Sequence, residues 1–306
     1  MNLKSYMLLV FILLKCVCIA QYREMKSTLS IGVKPFFAIH KNNIQYSISG
    51  NIDGTSPNIL SDLSWKNVNS AVYGGEITAG INHFSIEGRY SYGTTYGGDV
   101  SDIDYVEDNR NGVFSEQYLS SNIGTIKEIR IFPAYHFFRR SHISLLAYPA
   151  FQVTKQLLYL VNKVTKDHQD YIDDLQSSYQ YNSRVVGAGL KMFAGWDKFS
   201  LVTRVNAGKL FYEASGNWNL RRDLEHPVSY SHKARGKSIA FEIENRYHLT
   251  KSIICFFEYS FLSQKSRKGV DKLFRQDKEP YETLLNETAR SQYAFQVGII
   301  LLTTIN

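Results

Sequence analysis

The sequence predicts an all-β fold, a ten-stranded antiparallel transmembrane β-barrel with short turns at one end and long loops at the other. Three observations lead there. Apolar and polar residues alternate over segments of nine or ten residues, about the length a tilted strand needs to cross a bilayer. The apolar faces are rich in aromatics, while the opposite faces carry charges of both signs. The joins between these segments alternate between short and long. With 21 tyrosines, 18 phenylalanines and only six prolines in 306 residues, the composition favours strands over helices.

The first element is not part of the barrel. Met1–Lys4 carries one positive charge, Met7–Leu14 is wholly apolar, and Cys18-Ile19-Ala20 supplies a small-x-small ending. This reads as a signal peptide over 1–20, cleaved near Ala20–Gln21, because the apolar run is too short for a spanning helix. Residues 21–306 are then expected to form a single barrel domain in the cell outer membrane. Cleavage removes Cys16 and Cys18, so Cys255 is left without an intramolecular disulfide partner. The formal charge of +7 drops by two with Lys4 and Lys15. The remaining excess suits an anionic membrane surface, and no nucleic-acid motif accompanies it.

The strands are expected at roughly 28–49, 60–79, 83–97, 123–138, 142–161, 181–195, 198–214, 235–249, 251–265 and 289–304. Within 123–138, Ile129, Ile131, Tyr135 and Phe137 share one face, and Glu128, Arg130 and His136 share the other. In 235–249, Ile239, Phe241, Ile243 and Tyr247 oppose Glu242, Glu244 and Arg246. The last strand sets Tyr293, Phe295, Val297, Ile299 and Leu301 against Gln292 and Gln296. A soluble sandwich shows the same period, with apolar faces inward; span length and paired charges favour the barrel. Arg130, Arg204 and Arg246 are accordingly read as lumen partners of Glu128, Glu242, Glu244 and Glu258. Arg139-Arg140, Arg221-Arg222 and Lys265–Lys268 read as loop-solvating charge in preference to lipid-phosphate contacts. The expected partner is outer-membrane lipid, lipopolysaccharide in particular; oligomeric state is left open.

The long joins fall near 50–59, 98–122, 162–180, 215–234 and 266–288. In the second, Gly97-Gly98-Asp99-Val100-Ser101-Asp102-Ile103-Asp104-Tyr105 sets Asp102 and Asp104 two apart after an alternating strand. On a strand or its continuation they share a face, where like charge favours sharing a proton or holding a water. The bland alternative is a solvated acidic loop.

Leu63-Ser64-Trp65-Lys66, Gly97-Gly98 and Asp102-Ile103-Asp104-Tyr105 together resemble the omptins, ten-stranded outer-membrane proteases. The resemblance extends weakly over the remainder of the chain. It implies a surface endopeptidase with an Asp pair facing an Asp/His couple across the barrel mouth, the two activating a water. By motif the catalytic set becomes Asp102, Asp104, Asp223 and His226, with His226 across an open cleft from the pair and a peptide or host protein as substrate. Two departures stand out. Leu224 occupies the position two before His226, so Asp223 orients the imidazole only across an irregular segment. The family's Trp-Thr-Asp-x-Ser-x-His-Pro stretch is reduced to Phe114-Ser115-Glu116. The alternative is a non-proteolytic barrel acting as porin, adhesin or structural membrane protein. A third reading, a soluble exported sandwich binding carbohydrate or protein, stands behind both. No cofactor or metal is expected: the spacing of Asp223, His226 and His232 fits no compact ligand set, and neither a Gly-x-Ser-x-Gly element nor a phosphate-cradling loop is present.

Overall fold

The computed structural model describes residues 29–163, 172–276 and 278–305. The signal segment at 1–20, its cleavage point, part of the 162–180 join and Asn306 lie outside the described residues. In chain order the strands are β1 (Leu29–Ile48), β2 (Ser61–Ile81), β3 (Phe84–Glu107), β4 (Asn111–Ser120), β5 (Gly124–Arg139), β6 (Ile143–Leu160), β7 (Ser177–Trp196), β8 (Phe199–Asn217), β9 (Tyr230–His248), β10 (Ile253–Ser266), β11 (Gly269–Leu273) and β12 (Tyr281–Ile305). All pair antiparallel, and the ring closes where β1 meets both β2 and β12, with Phe37 opposite Tyr73 on one side and Val297 on the other. Ten strands form the wall, β4 and β11 standing beside β3 and β12 at one end only. Closure leaves no strand edge in the spanning region.

The ends differ as the joins predicted, with one correction. At the turn end, β2–β3, β5–β6, β7–β8 and β9–β10 are joined by two to four residues around Asn82, Ser141, Asp197 and Thr250. At the other end the expected loops 98–122 and 266–288 are largely strand. β3 runs on to Glu107 and folds back as β4, burying Val100, Tyr105 and Leu119. The inward face changes phase between Thr95 and Val100, where the β2–β3 register shifts beside Gly97-Gly98, yet the backbone stays paired beyond the apolar band instead of breaking into a loop.

The alternation resolves as the barrel reading required. Phe295 is 50% and Val297 43% exposed, while Gln292, Ala294 and Gln296 between and beside them are buried. The outward apolar band runs through Ile39, Tyr73, Ile131, Phe151, Ile239 and Phe257 around the wall. Polar or basic residues take over outside it, at Lys41, Asn43 and Gln45 on β1. No described helix is long and apolar enough to cross a membrane; the strands do so.

Inside lie six carboxylates (Glu76, Glu87, Glu128, Glu242, Glu244, Glu258), and all but Glu76 pair with the cations Lys34, Arg89, Arg130, Lys191, Arg204 and Arg246. Arg204 reaches both Glu87 and Glu242, and Arg130 reaches Glu242 and, at 2.7 Å, Glu128. Lys34 joins Glu244 to Glu258, 3.1 Å away, and Arg89 touches Glu258 at 3.3 Å. Glu244 and Glu258 are direct cross-strand neighbours, as are Arg89 and Arg130. Like charges so placed repel; partners reaching across the lumen offset this. The expected pairing of Arg130, Arg204 and Arg246 with Glu128, Glu242 and Glu244 is observed, and Arg89 and Lys34 complete it at Glu258. Above this layer a second plug of Leu63, Trp65, Leu158, Leu160, Tyr179 and Tyr181 fills the lumen.

Candidate functional site at the barrel mouth

Above the aromatic plug a cavity of about 780 Å³ opens between β3, the 218–224 segment, β9 and β11, lined by Tyr46, Asp102, Asp104, Tyr230, His232 and Asp271 among others. Asp102 and Asp104 belong to the continuation of β3, in register with Leu63 and Ser61 on β2. Period two turns both carboxyls into the cavity. Ser61 Oγ lies 3.4 Å from Asp102 Oδ1. Burial, and then the neighbouring Asp104 charge, push the Asp102 carboxyl up to about 7 from its ordinary 3.8. Burial also raises Asp104, against opposing pulls from Ser61 and Arg221. The pair thus relieves its repulsion by retaining a proton.

That proton has a measurable consequence. Between pH 3.8 and about 7 the folded chain keeps a proton on Asp102 that the unfolded chain has lost. Stability therefore falls as pH rises through this window and levels off above it. Asp102→Asn is expected to flatten that slope, the urea midpoint of the native protein dropping more than the variant's between pH 4 and pH 8. Parallel slopes in the two proteins would exclude a raised Asp102.

The other two motif residues lie elsewhere. Asp223 is exposed and held by Arg221 in a two-pronged contact of 2.7 and 2.8 Å, which keeps its carboxyl below the usual range. His226 is exposed on the same segment, its Nδ1 2.7 Å from Asn217 Oδ1. Neither lines the cavity. The irregular 218–229 segment is anchored instead by Leu224, which is buried and bridges to Arg275. The side chains on either side of Leu224 are thereby turned to solvent.

Opposite the Asp pair the structure brings a different histidine and aspartate. His232 of β9 places Nε2 3.1 Å from Asp271 Oδ1, and its side chain is fully enclosed. The contact is an ion-pair distance without hydrogen-bond alignment, since Nε2 has no aligned acceptor. His232 Nδ1 lies 3.0 Å from the Tyr179 hydroxyl, and Asp271 Oδ2 accepts from Thr283 at 2.9 Å. Tyr46 packs edge-on against the imidazole at 4.4 Å, and its hydroxyl donates to Tyr230 at 3.0 Å. Gly216 makes this possible: a Cβ there would fall 2.0 Å from the Tyr230 ring. Burial holds the hydroxyls of Tyr46, Tyr179 and Tyr230 well above their ordinary range, so they remain neutral donors. The sequence does hold a trace of this couple. Tyr230, His232 and Ala234 alternate inward on a strand that begins earlier than the expected residue 235, whereas Asp271 joins only through the short pairing of β11 with β9.

Fold, exposed apolar band and buried charge layer define an outer-membrane β-barrel protein, located in the outer membrane. Residues 38–301 match the family described as Pom, Protochlamydia outer membrane protein. The chain belongs to that family. No curated protein sequence matches it. Among solved structures it is similar to outer membrane protease OmpT from Escherichia coli, at 11% identity and a TM-score of 0.70, covering 92% of this chain and 100% of the other. The translocator domain of autotransporter NalP from Neisseria meningitidis gives 8% identity and a TM-score of 0.40 over 97% and 96% of the chains. At 11% identity the likeness to OmpT bears on fold alone.

Proposed function

We propose that the protein is a non-proteolytic surface barrel, adhesin-like rather than porin-like, whose mouth cleft holds a ligand above a closed lumen. One observation carries this reading: among the described residues no histidine nitrogen is turned toward Asp102 and Asp104. His226 is bonded to Asn217 outside the cavity, and His232 keeps Nδ1 on Tyr179 and Nε2 beside Asp271. A general base must reach the proton it removes. The charged and aromatic layers below the cleft argue against general diffusion through the lumen.

A second reading, omptin-type hydrolysis, is favoured by the presence of the Asp pair and the His232–Asp271 couple in one cavity. It requires the imidazole to turn toward the cleft. Protein refolded with lipopolysaccharide and mixed with a fluorogenic peptide separates the two. Under the first reading, hydrolysis by the native barrel does not exceed that of Asp102→Ala. Cleavage abolished by both Asp102→Ala and His232→Ala, but kept in His226→Ala, would overturn it in favour of the second.

Lipopolysaccharide is proposed as the lipid partner on a feature of the outer wall. Lys209, Lys237 and Lys265 face outward in directly opposed register across β8, β9 and β10, and Lys127 opposes Lys155. Cross-strand like charges repel unless an anion lies over them, and Glu287 answers only Lys265, at 2.9 Å. The row sits just outside the apolar band, at headgroup height. In the same refolded protein, Lys209→Gln with Lys237→Gln is expected to reduce the stabilisation gained on adding lipopolysaccharide; an unchanged gain would rule the row out.

A further inference from the structure

Between the ion-paired layer and the aromatic plug lies Arg290 of β12, 5% exposed. Among the described residues its guanidinium has only amide oxygens as partners: Asn42 Oδ1 at 3.3 and 3.4 Å, Gln264 Oε1 at 3.5 Å, and Gln292 Oε1. Tyr181 lies beneath it, 5.4 Å from ring centroid to guanidinium carbon. No described carboxylate lies within ion-pair distance. Glu128 shares its field, but Glu128 is taken by Arg130 at 2.7 Å and Gln152 at 2.8 Å.

The charge balance of the lumen makes this unusual. Among the described residues the six inward carboxylates named above are equalled in number by Lys34, Arg89, Arg130, Lys191, Arg204 and Arg246, and the other buried carboxylate, Asp271, stands at the mouth beside His232, so Arg290 is a seventh cation with no carboxylate at ion-pair distance. A buried charge without a partner is costly. Three further observations surround it. The side-chain amide nitrogens of Asn42, Gln156 and Gln264 are buried donors with no acceptor. Asn42 and Gln264 contact Arg290 directly, and Gln156 joins through Tyr181, whose hydroxyl donates to it at 2.7 Å. A small cavity of about 10 Å³ opens between Arg290, Gln264, Tyr181, Tyr212 and Thr288. Orphaned donors around an unpaired guanidinium, beside a void of single-solvent size, make a site for a small spherical anion.

We propose that the barrel encloses one monovalent anion, a halide such as chloride, bound in this void by Arg290 and the amide N–H group of Gln264, while Asn42 holds the guanidinium from the other side through its oxygen. The ion is sealed in as the wall closes, and it neutralises the surplus charge of the lumen. A water would satisfy the amides and leave the charge standing; a divalent oxyanion exceeds the space. This inference is independent of the reading of the mouth cleft.

The probe is bromide. Protein refolded into detergent in sodium bromide, then desalted, is expected to retain about one bromide per chain and to unfold at higher urea than protein refolded in sodium sulfate of equal ionic strength. Gln264→Glu, which supplies an internal carboxylate in place of the ion, is expected to fold in either salt, retain no bromide and lose the difference between the salts. Arg290→Gln is expected to retain none. A native protein that holds no bromide, or a Gln264→Glu protein that holds as much as the native, would overturn the proposal in favour of water alone.

Discussion

Replacing Arg204 with Leu is expected to destabilise the barrel by about 3–5 kcal/mol, the cost of leaving a buried ion network with uncompensated charge. Arg204 touches Glu87 and Glu242, all three being buried. Without it, Glu87 keeps only Lys191 and Glu242 keeps only Arg130. Arg204 also lies over the Phe132 ring, 5.2 Å away, so its loss removes packing as well as charge. The control is Arg184→Leu. Arg184 pairs with Glu213 at 2.8 Å, but the two side chains are 51% and 42% exposed. Water screens that pair, and its removal is expected to cost about 0–1 kcal/mol. Urea midpoints in detergent, converted with a common slope, compare the two. Similar losses for both variants would mean that the lumen is hydrated and that its charges are not a closed network.

The second large effect is on the outer wall. Val297→Arg is expected to cost about 2–4 kcal/mol when the protein folds into lipid vesicles, the penalty for a cation on the lipid face near mid-bilayer. Val297 is 43% exposed and flanked on its own face by Phe295 and Ile299. Its cross-strand neighbours are Phe37 on β1 and Phe257 on β10. Gln45→Arg, outward on β1 but beyond the apolar band, is expected to cost little, because headgroups and water solvate the new charge there. Equal penalties at the two positions would contradict the placement of the band in the bilayer.

Much of this architecture was legible along the chain. The period-two patterns around Ile129, Ile239, Phe257 and Phe295 identified strands, and the short joins at Asn82, Asp197 and Leu249 located the turn end. The charged faces even gave the lumen partners of Arg130 and Arg204, because a closed interior must pair its charges. The mouth was read less well. Residues 98–122 and 266–288 are polar and glycine-bearing, so local composition spoke for loops. Their backbone pairs instead, since β3 has β2 beside it and β11 has β9 and β12.

The site follows the same division. Asp102 and Asp104 entered one cavity because their spacing alone fixes a common face. His226 and Asp223 follow from the motif resemblance alone, and buried Leu224 anchors their segment and turns them outward. His232 and Asp271 are 39 positions apart, and no local pattern joins them; β11 does so by inserting between β9 and β12. The surplus cation at Arg290 was equally invisible, since its isolation depends on which carboxylates the other six cations engage. What the sequence by itself determined is the wall: strands, faces, spans and the sign of each surface, all set by a two-residue period. Only the tertiary structure decided which distant side chains meet inside that wall, because strand register and ring closure, rather than local propensity, bring them together.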